Sequence, residues 1–224
     1  MTKTLTTTAD PAMGTAISRK GALGLGAAIA IAVAVAGCGA ASTPTTRSTS
    51  VSSGAGAAAE RPTTIPSFAW LKPSPAPAGW RVVRIPTGAA LPYPPGWQLL
   101  AGDRGTATAV LMDSRHRYAG YLNVTPQQGS ETLSDWPKFR VGHNADEGDR
   151  KVVTLATGSG LTFRMGHGSC VRDAYTTSTG NRYVELACLV AGSRTSAVIV
   201  GAAPPHTWAA VSPSIERAID SFTA

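Results

Sequence analysis

The sequence predicts an α+β domain, an antiparallel β-sheet with helices packed on it, preceded by a signal peptide and a disordered tether. Three observations lead there. Residues 80–124 and 151–202 alternate apolar and polar side chains at a period of two, as half-buried strands do. Two stretches, Leu133–His143 and Trp208–Phe222, switch to helical spacing. Between them, Cys170 and Cys188 frame a hairpin signal. Strands, a helix, more strands and a closing helix imply layers rather than alternating βαβ units.

The N-terminal part comes first. Arg19 and Lys20 precede seventeen uncharged residues, Gly21 to Gly37, ending in Val35-Ala36-Gly37-Cys38. Positive flank, apolar run and small residues are the layout of a secretory signal. Translation from Met1 or from Met13 preserves that layout. The ending resembles the lipobox of bacterial lipoproteins. That resemblance implies attachment of a diacylglyceryl group to the Cys38 sulfur and cleavage before Cys38, with Cys38 the lipid-attachment residue. Two or more chains, at ~0.8 kcal/mol per buried CH₂, hold a protein stably on a membrane. The run is at the lower limit for a membrane-spanning helix, and either reading leaves the C-terminal part outside, because the basic flank stays inside. The expected address is the outer face of the cytoplasmic membrane.

Removing residues 1–37 takes away Lys3, Arg19, Lys20 and Asp10 and leaves 17 bases against 12 acids, a net +5. The bases are scattered, so no nucleic-acid patch is expected. With Cys38 assigned to lipid, Cys170 and Cys188 form an even pair in an oxidising compartment, the setting of a disulfide. Residues 38–78 are rich in Ser, Thr, Ala, Gly and Pro without apolar periodicity, which makes them a tether. Phe68-Ala69-Trp70-Leu71 has the composition of a first turn packed on the domain, whose start is placed at Gly79.

Within 79–224, Trp80–Ile85 reads as a strand. Leu91–Trp97, with three prolines, is a crossing barred from a central strand. Trp97–Leu100, Thr106–Met112 and Tyr118–Val124 are strands, the last two joined as a hairpin. A helix starts at Asp135 or Trp136, where Pro137 occupies the harmless first turn, and yields to a polar loop over Gly142–Asp149. Lys151–Ala156 and Gly160–Met165 are two further strands. Pairing Thr177 with Asn181 across Ser178-Thr179-Gly180 carries the register to Tyr175–Tyr183 and Cys170–Cys188. The cysteines then face each other at a Cβ separation of about 4.5–5.5 Å. One pairing opposes this register, since Asp173 faces Glu185. Ser196–Ala202 is the last strand. The final helix carries Pro213, with Ser212 as a cap, so a kink or two short helices are expected.

This element order, with Tyr93-Pro94-Pro95-Gly96-Trp97 near its start and Ile219-Asp220-Ser221-Phe222 at its end, resembles the PsbP-like α/β/α sandwich. It is also similar to mycobacterial lipoproteins of the LpqN type, which carry a lipobox and a Ser/Thr-rich tether. The resemblance implies an adaptor or accessory protein that binds partners rather than an enzyme.

The side chains available for chemistry agree with that. His116, His143, His167 and His206 have no partner at zinc spacing, and no metal, cofactor or phosphate-loop motif occurs. Asp146, Glu147 and Asp149 lack the ligand order of an EF-hand and read as a solvated helix end. Gly166-His167-Gly168-Ser169-Cys170 departs from the nucleophile-elbow pattern Gly-x-Ser-x-Gly and leads into a strand. It supports a second reading, an envelope serine hydrolase using Ser169 and His167. A lipid or glycolipid carrier with a groove between helix and sheet is a third. The leading expectation is a non-catalytic, lipid-anchored module binding an envelope protein or a glycolipid or wall ligand.

Overall fold

The computed structural model describes residues 67–224; the signal and Cys38 lie outside them. Nine strands and two helices follow in chain order among the described residues. They are β1 (Arg81–Arg84), β2 (Ala90–Tyr93), β3 (Gln98–Leu100), β4 (Ala107–Met112), β5 (Tyr118–Pro126), α1 (Trp136–Asp146), β6 (Arg150–Phe163), β7 (Gly166–Thr176), β8 (Arg182–Gly192), β9 (Ser196–Ala203) and α2 (Pro205–Ser221). Strands β1 and β2 pair as a small ribbon; the other seven form one sheet ordered β3-β4-β5-β9-β8-β7-β6, every neighbour antiparallel.

Alternation along the strands splits the interior in two. On one face Leu186, Cys188, Val190, Ala197 and Ile199 join Val211, Ile215, Ile219 and Phe222 in the main core, under α2. On the other, Ala187, Leu189, Val198 and Val200 join Val171 and Trp136, under α1. The domain is thus an α/β/α sandwich, as expected from sequence.

Packing under α2 is close. A Cβ on Gly120 would meet Val211 at 2.8 Å and Trp97 at 3.0 Å, and one on Gly201 would overlap Ile215. These two positions favour glycine because the side chains of Val211, Trp97 and Ile215 lie directly on the strand backbone there. The Cys170–Cys188 disulfide lies in the same layer, fully buried, across the directly opposed pair foreseen from the turn, with Cα atoms 4.1 Å apart. That spacing marks a non-hydrogen-bonded pair, in which side chains approach most closely. The turn that sets the register is closed by Thr177 N–H to Asn181 O at 2.8 Å and Gly180 N–H to Thr177 O at 2.9 Å, with Gly180 at φ 91°.

Several expectations are corrected. The domain does not begin at Gly79: Phe68 is buried in the main core, and the following extended segment is bound to the end of α2. Lys72 N–H donates to Asp220 Oδ1 at 2.8 Å, Ser74 N–H to Asp220 O at 3.2 Å, and Arg217 Nη2 to Pro75 O at 3.0 Å. Proline-rich chain satisfies its backbone here through both the main chain and the side chains of another element. Residues 150–163 are one strand rather than two, because register irregularities absorb the Gly158-Ser159-Gly160 interruption. Helix α1 runs through Gly142 to Asp146 before Gly148, at φ 94°, ends it. Helix α2 is a single helix containing Pro213. The carbonyl that Pro213 leaves without its helical donor belongs to Ala209, and both residues are exposed, so that carbonyl is open to solvent rather than buried.

Candidate functional site

Helix α1 carries the chemistry, on both of its sides. Toward the sheet, Trp136 is 2% exposed and donates its indole N–H to Ala187 O at 3.0 Å. One turn on, Arg140 grips Glu185 of β8 with Nε–Oε1 at 2.6 Å and Nη2–Oε2 at 2.8 Å. Tyr175 of β7 donates its hydroxyl to Glu185 Oε2 at 3.3 Å. Another turn on, Asn144 donates to Asp173 Oδ2 at 3.2 Å. The three anchors, residues 136, 140 and 144, repeat every four positions and so share one helix face.

Asp173 and Glu185 are opposed across the β7–β8 ladder, the like-charge pair that counted against this register. The register is compensated by Arg140, whose guanidinium reaches Glu185 from α1. Glu185 takes both guanidinium bonds, and Asp173 Oδ1 is buried without a hydrogen-bond partner. Burial, then the Glu185 charge, pushes the Asp173 carboxyl up to about 8. Asp149, beyond the end of α1, is raised to about 6 by partial burial and by Glu147 and Glu185. Tyr121 is pushed up to about 12 and Tyr175 well above the usual tyrosine range, both chiefly by burial. For Arg140, burial opposes the charge, but the Glu185 carboxylate outweighs it and the guanidinium pKa is raised. The layer therefore sets an ion pair beside a carboxyl whose protonated form is favoured by burial and by the Glu185 charge.

Away from the sheet, Asp135, Lys138, Phe139, Gly142, His143 and Asp146 line an open depression of about 530 Å³. Phe139 is 40% exposed, with its ring 5.9 Å from Trp136 and 5.8 Å from His143. The Phe139 and His143 planes are within 8° of parallel. Gly142, lacking a side chain, leaves the floor of the depression. His143 Nε2 lies 3.2 Å from Glu147 Oε1.

The sequence-derived candidates distribute as follows. Cys170 and Cys188 are bonded. Ser169 is fully buried in the middle of β7, and its Oγ has no hydrogen-bond partner, so no base activates it. His167 is exposed two residues earlier on the same strand. This pair does not form a nucleophile and base. Asp146, Glu147 and Asp149 do not gather: among the described residues no three acids, histidines or cysteines are grouped to hold a metal ion. His116 and His206 are exposed. The Arg140–Glu185–Asp173 cluster was missed, apart from the Asp173–Glu185 clash, because its cation lies 45 positions from Glu185 in the chain.

No protein-family model matches the chain. No curated protein matches it either. Solved structures do resemble it. Cyanobacterial PsbP from Synechocystis is 15% identical, with a TM-score of 0.47 over 66% of this chain and 94% of that one. LpqN of Mycobacterium tuberculosis, described as involved in cell envelope biogenesis, is 13% identical, with a TM-score of 0.36 over 66% and 80%. A Pseudomonas aeruginosa protein of unknown function is 13% identical, with a TM-score of 0.44 over 65% and 96%. The class defined by the coordinates is an α+β sandwich, and the chain is similar to the PsbP and LpqN structures at that level.

Proposed function

We propose that this chain is a lipid-anchored cell-envelope protein that works without catalysis by docking a protein partner on the outer face of α1. The lipobox ending at Cys38 supports the anchor, and a disulfide closed inside the core supports an oxidising compartment. Among the described residues no helix is long and apolar enough to cross a membrane, so attachment falls to the N-terminal segment.

The observation that carries the docking site is Phe139. A large ring stands 40% exposed, stacked between Trp136 and His143 beside a notch lined by Gly142. Rigid, half-exposed aromatics lose little entropy on binding and serve as interface anchors. The rim carries Asp135 and Asp146 against Lys138, a local acidic excess on a basic protein. Its complement is a partner segment bearing an apolar side chain flanked by Arg or Lys.

A photo-crosslinking residue placed at Gly142 of the full chain tests this in cells. The expected result is one defined envelope-protein adduct that disappears with Phe139→Ala. No adduct, or adducts indifferent to Phe139→Ala, would overturn the reading. Ester hydrolysis by the wild type that is lost in Ser169→Ala would establish the hydrolase instead.

A further inference from the structure

Helix α1 is attached to the sheet differently from α2. The residues it buries are Trp136 and Asn144, and its other internal anchor is the charge of Arg140. Two carboxylates, Asp173 and Glu185, are 0% and 1% exposed beneath it. One guanidinium serves both, and Glu185 takes its two short bonds. With both acids ionised the layer holds an uncompensated negative charge, and Asp173 Oδ1 faces no donor. An ionised carboxylate only accepts hydrogen bonds; a protonated one also supplies a donor and removes the excess charge.

We propose that the proton on Asp173 is a latch that fastens α1 to the sheet, so that acid tightens this helix and rising pH loosens it. The groups facing Asp173 are known from every packed element. Arg140 and Asn144 come from α1, Asp149 from the following loop, Tyr175 from β7, Glu185 and Tyr183 from β8, and uncharged Thr154 from β6. Arg140 is the cation among them, and it is already engaged.

The sign follows from linkage. Closed, Asp173 holds its proton up to about pH 8; with α1 lifted and water admitted it returns toward its ordinary value of 3.8. Between those values the open form sheds a proton that the closed form keeps, so the opening constant rises about tenfold per pH unit and levels off above the upper value. Because α1 also presents Phe139, the latch would regulate partner docking. That consequence rests on the function proposed above; the latch itself does not.

Two measurements on the full chain test it without any partner. The Asp173 side-chain carbon, followed by NMR, is expected to titrate near pH 8. Amide exchange of α1, corrected for intrinsic rates, is expected to lose about 100-fold protection from pH 5.5 to 7.5, with α1 less protected than the central β8 amides at both pH values because it opens without them. Asp173→Asn, isosteric and neutral, is expected to hold α1 protection flat over the same range. A titration near pH 4 would overturn the proposal, as would α1 protection equal to that of β8 at both pH values or an unchanged pH dependence in Asp173→Asn. A crosslinking failure combined with these expected results would remove the docking reading and leave the latch standing.

Discussion

The two faces of the sheet solve the same covering problem by opposite chemistry. Under α2 the layer is apolar and covalently pinned: Val211, Ile215, Ile219 and Phe222 sit on the disulfide, and glycines at 120 and 201 bring the helix against the strands. Under α1 a smaller apolar cluster of Trp136, Val171, Leu189, Val198 and Val200 adjoins a polar and ionic group, Arg140, Asn144, Glu185 and Asp173. Apolar burial stabilises in proportion to area and ignores pH. A buried ion pair contributes little net stability, but it fixes geometry and responds to protons. The difference teaches where each kind of behaviour resides: α2 supplies the permanence of the fold and α1 its adjustable part.

The comparison is broken most severely by removing the cation. Arg140→Met strands Glu185 and Asp173 without compensation and is expected to cost about 3–5 kcal/mol. Replacing the pair together, as Arg140→Met with Glu185→Leu, is expected to recover most of that loss in urea unfolding. If the double variant is as unstable as the single one, the ionic account of the α1 face is wrong. On the other face, Cys170→Ala with Cys188→Ala releases a loop of eighteen residues' separation and is expected to lower stability by about 3 kcal/mol at every pH. A pH-dependent loss would erase the distinction between the faces. Smaller again, Trp136→Phe keeps most of the ring and removes its bond to Ala187 O, for roughly 0.5–1.5 kcal/mol by thermal unfolding. The least effect is expected from His143→Gln, whose partner Glu147 is also partly exposed; the change should fall below about 0.5 kcal/mol.

Much of the α2 face was legible in the sequence. The Cys170–Cys188 pairing followed from a four-residue turn and an even thiol count, both local signals. The terminal helix followed from its period, although its continuity through Pro213 did not, since that depends on the solvent exposure of Ala209. The α1 face was legible only as a contradiction: Asp173 opposite Glu185 looked like an argument against the register. Its resolution required a residue from a helix that precedes both strands, and no spacing rule links Arg140 to Glu185. The packing of Phe68 was likewise visible as composition but not as a domain boundary, because a proline-rich stretch carries no periodicity. Ser169 and His167 drew attention by motif. Burial of the hydroxyl, which no motif encodes, set them aside.

Strand β6 ends the sheet, pairing with β7 alone among the described residues. Fourteen residues of unpaired edge, with Val153 and Leu155 about half exposed, would in a flat sheet be a template for the addition of another chain. Three breaks in its register, a lysine at positive φ (Lys151, 55°) and Gly160 at 63° bend that edge out of line. The same irregularities that hid β6 as one strand thus guard the molecule against polymerising through its own rim, a protection that matters most where proteins are crowded side by side on a surface.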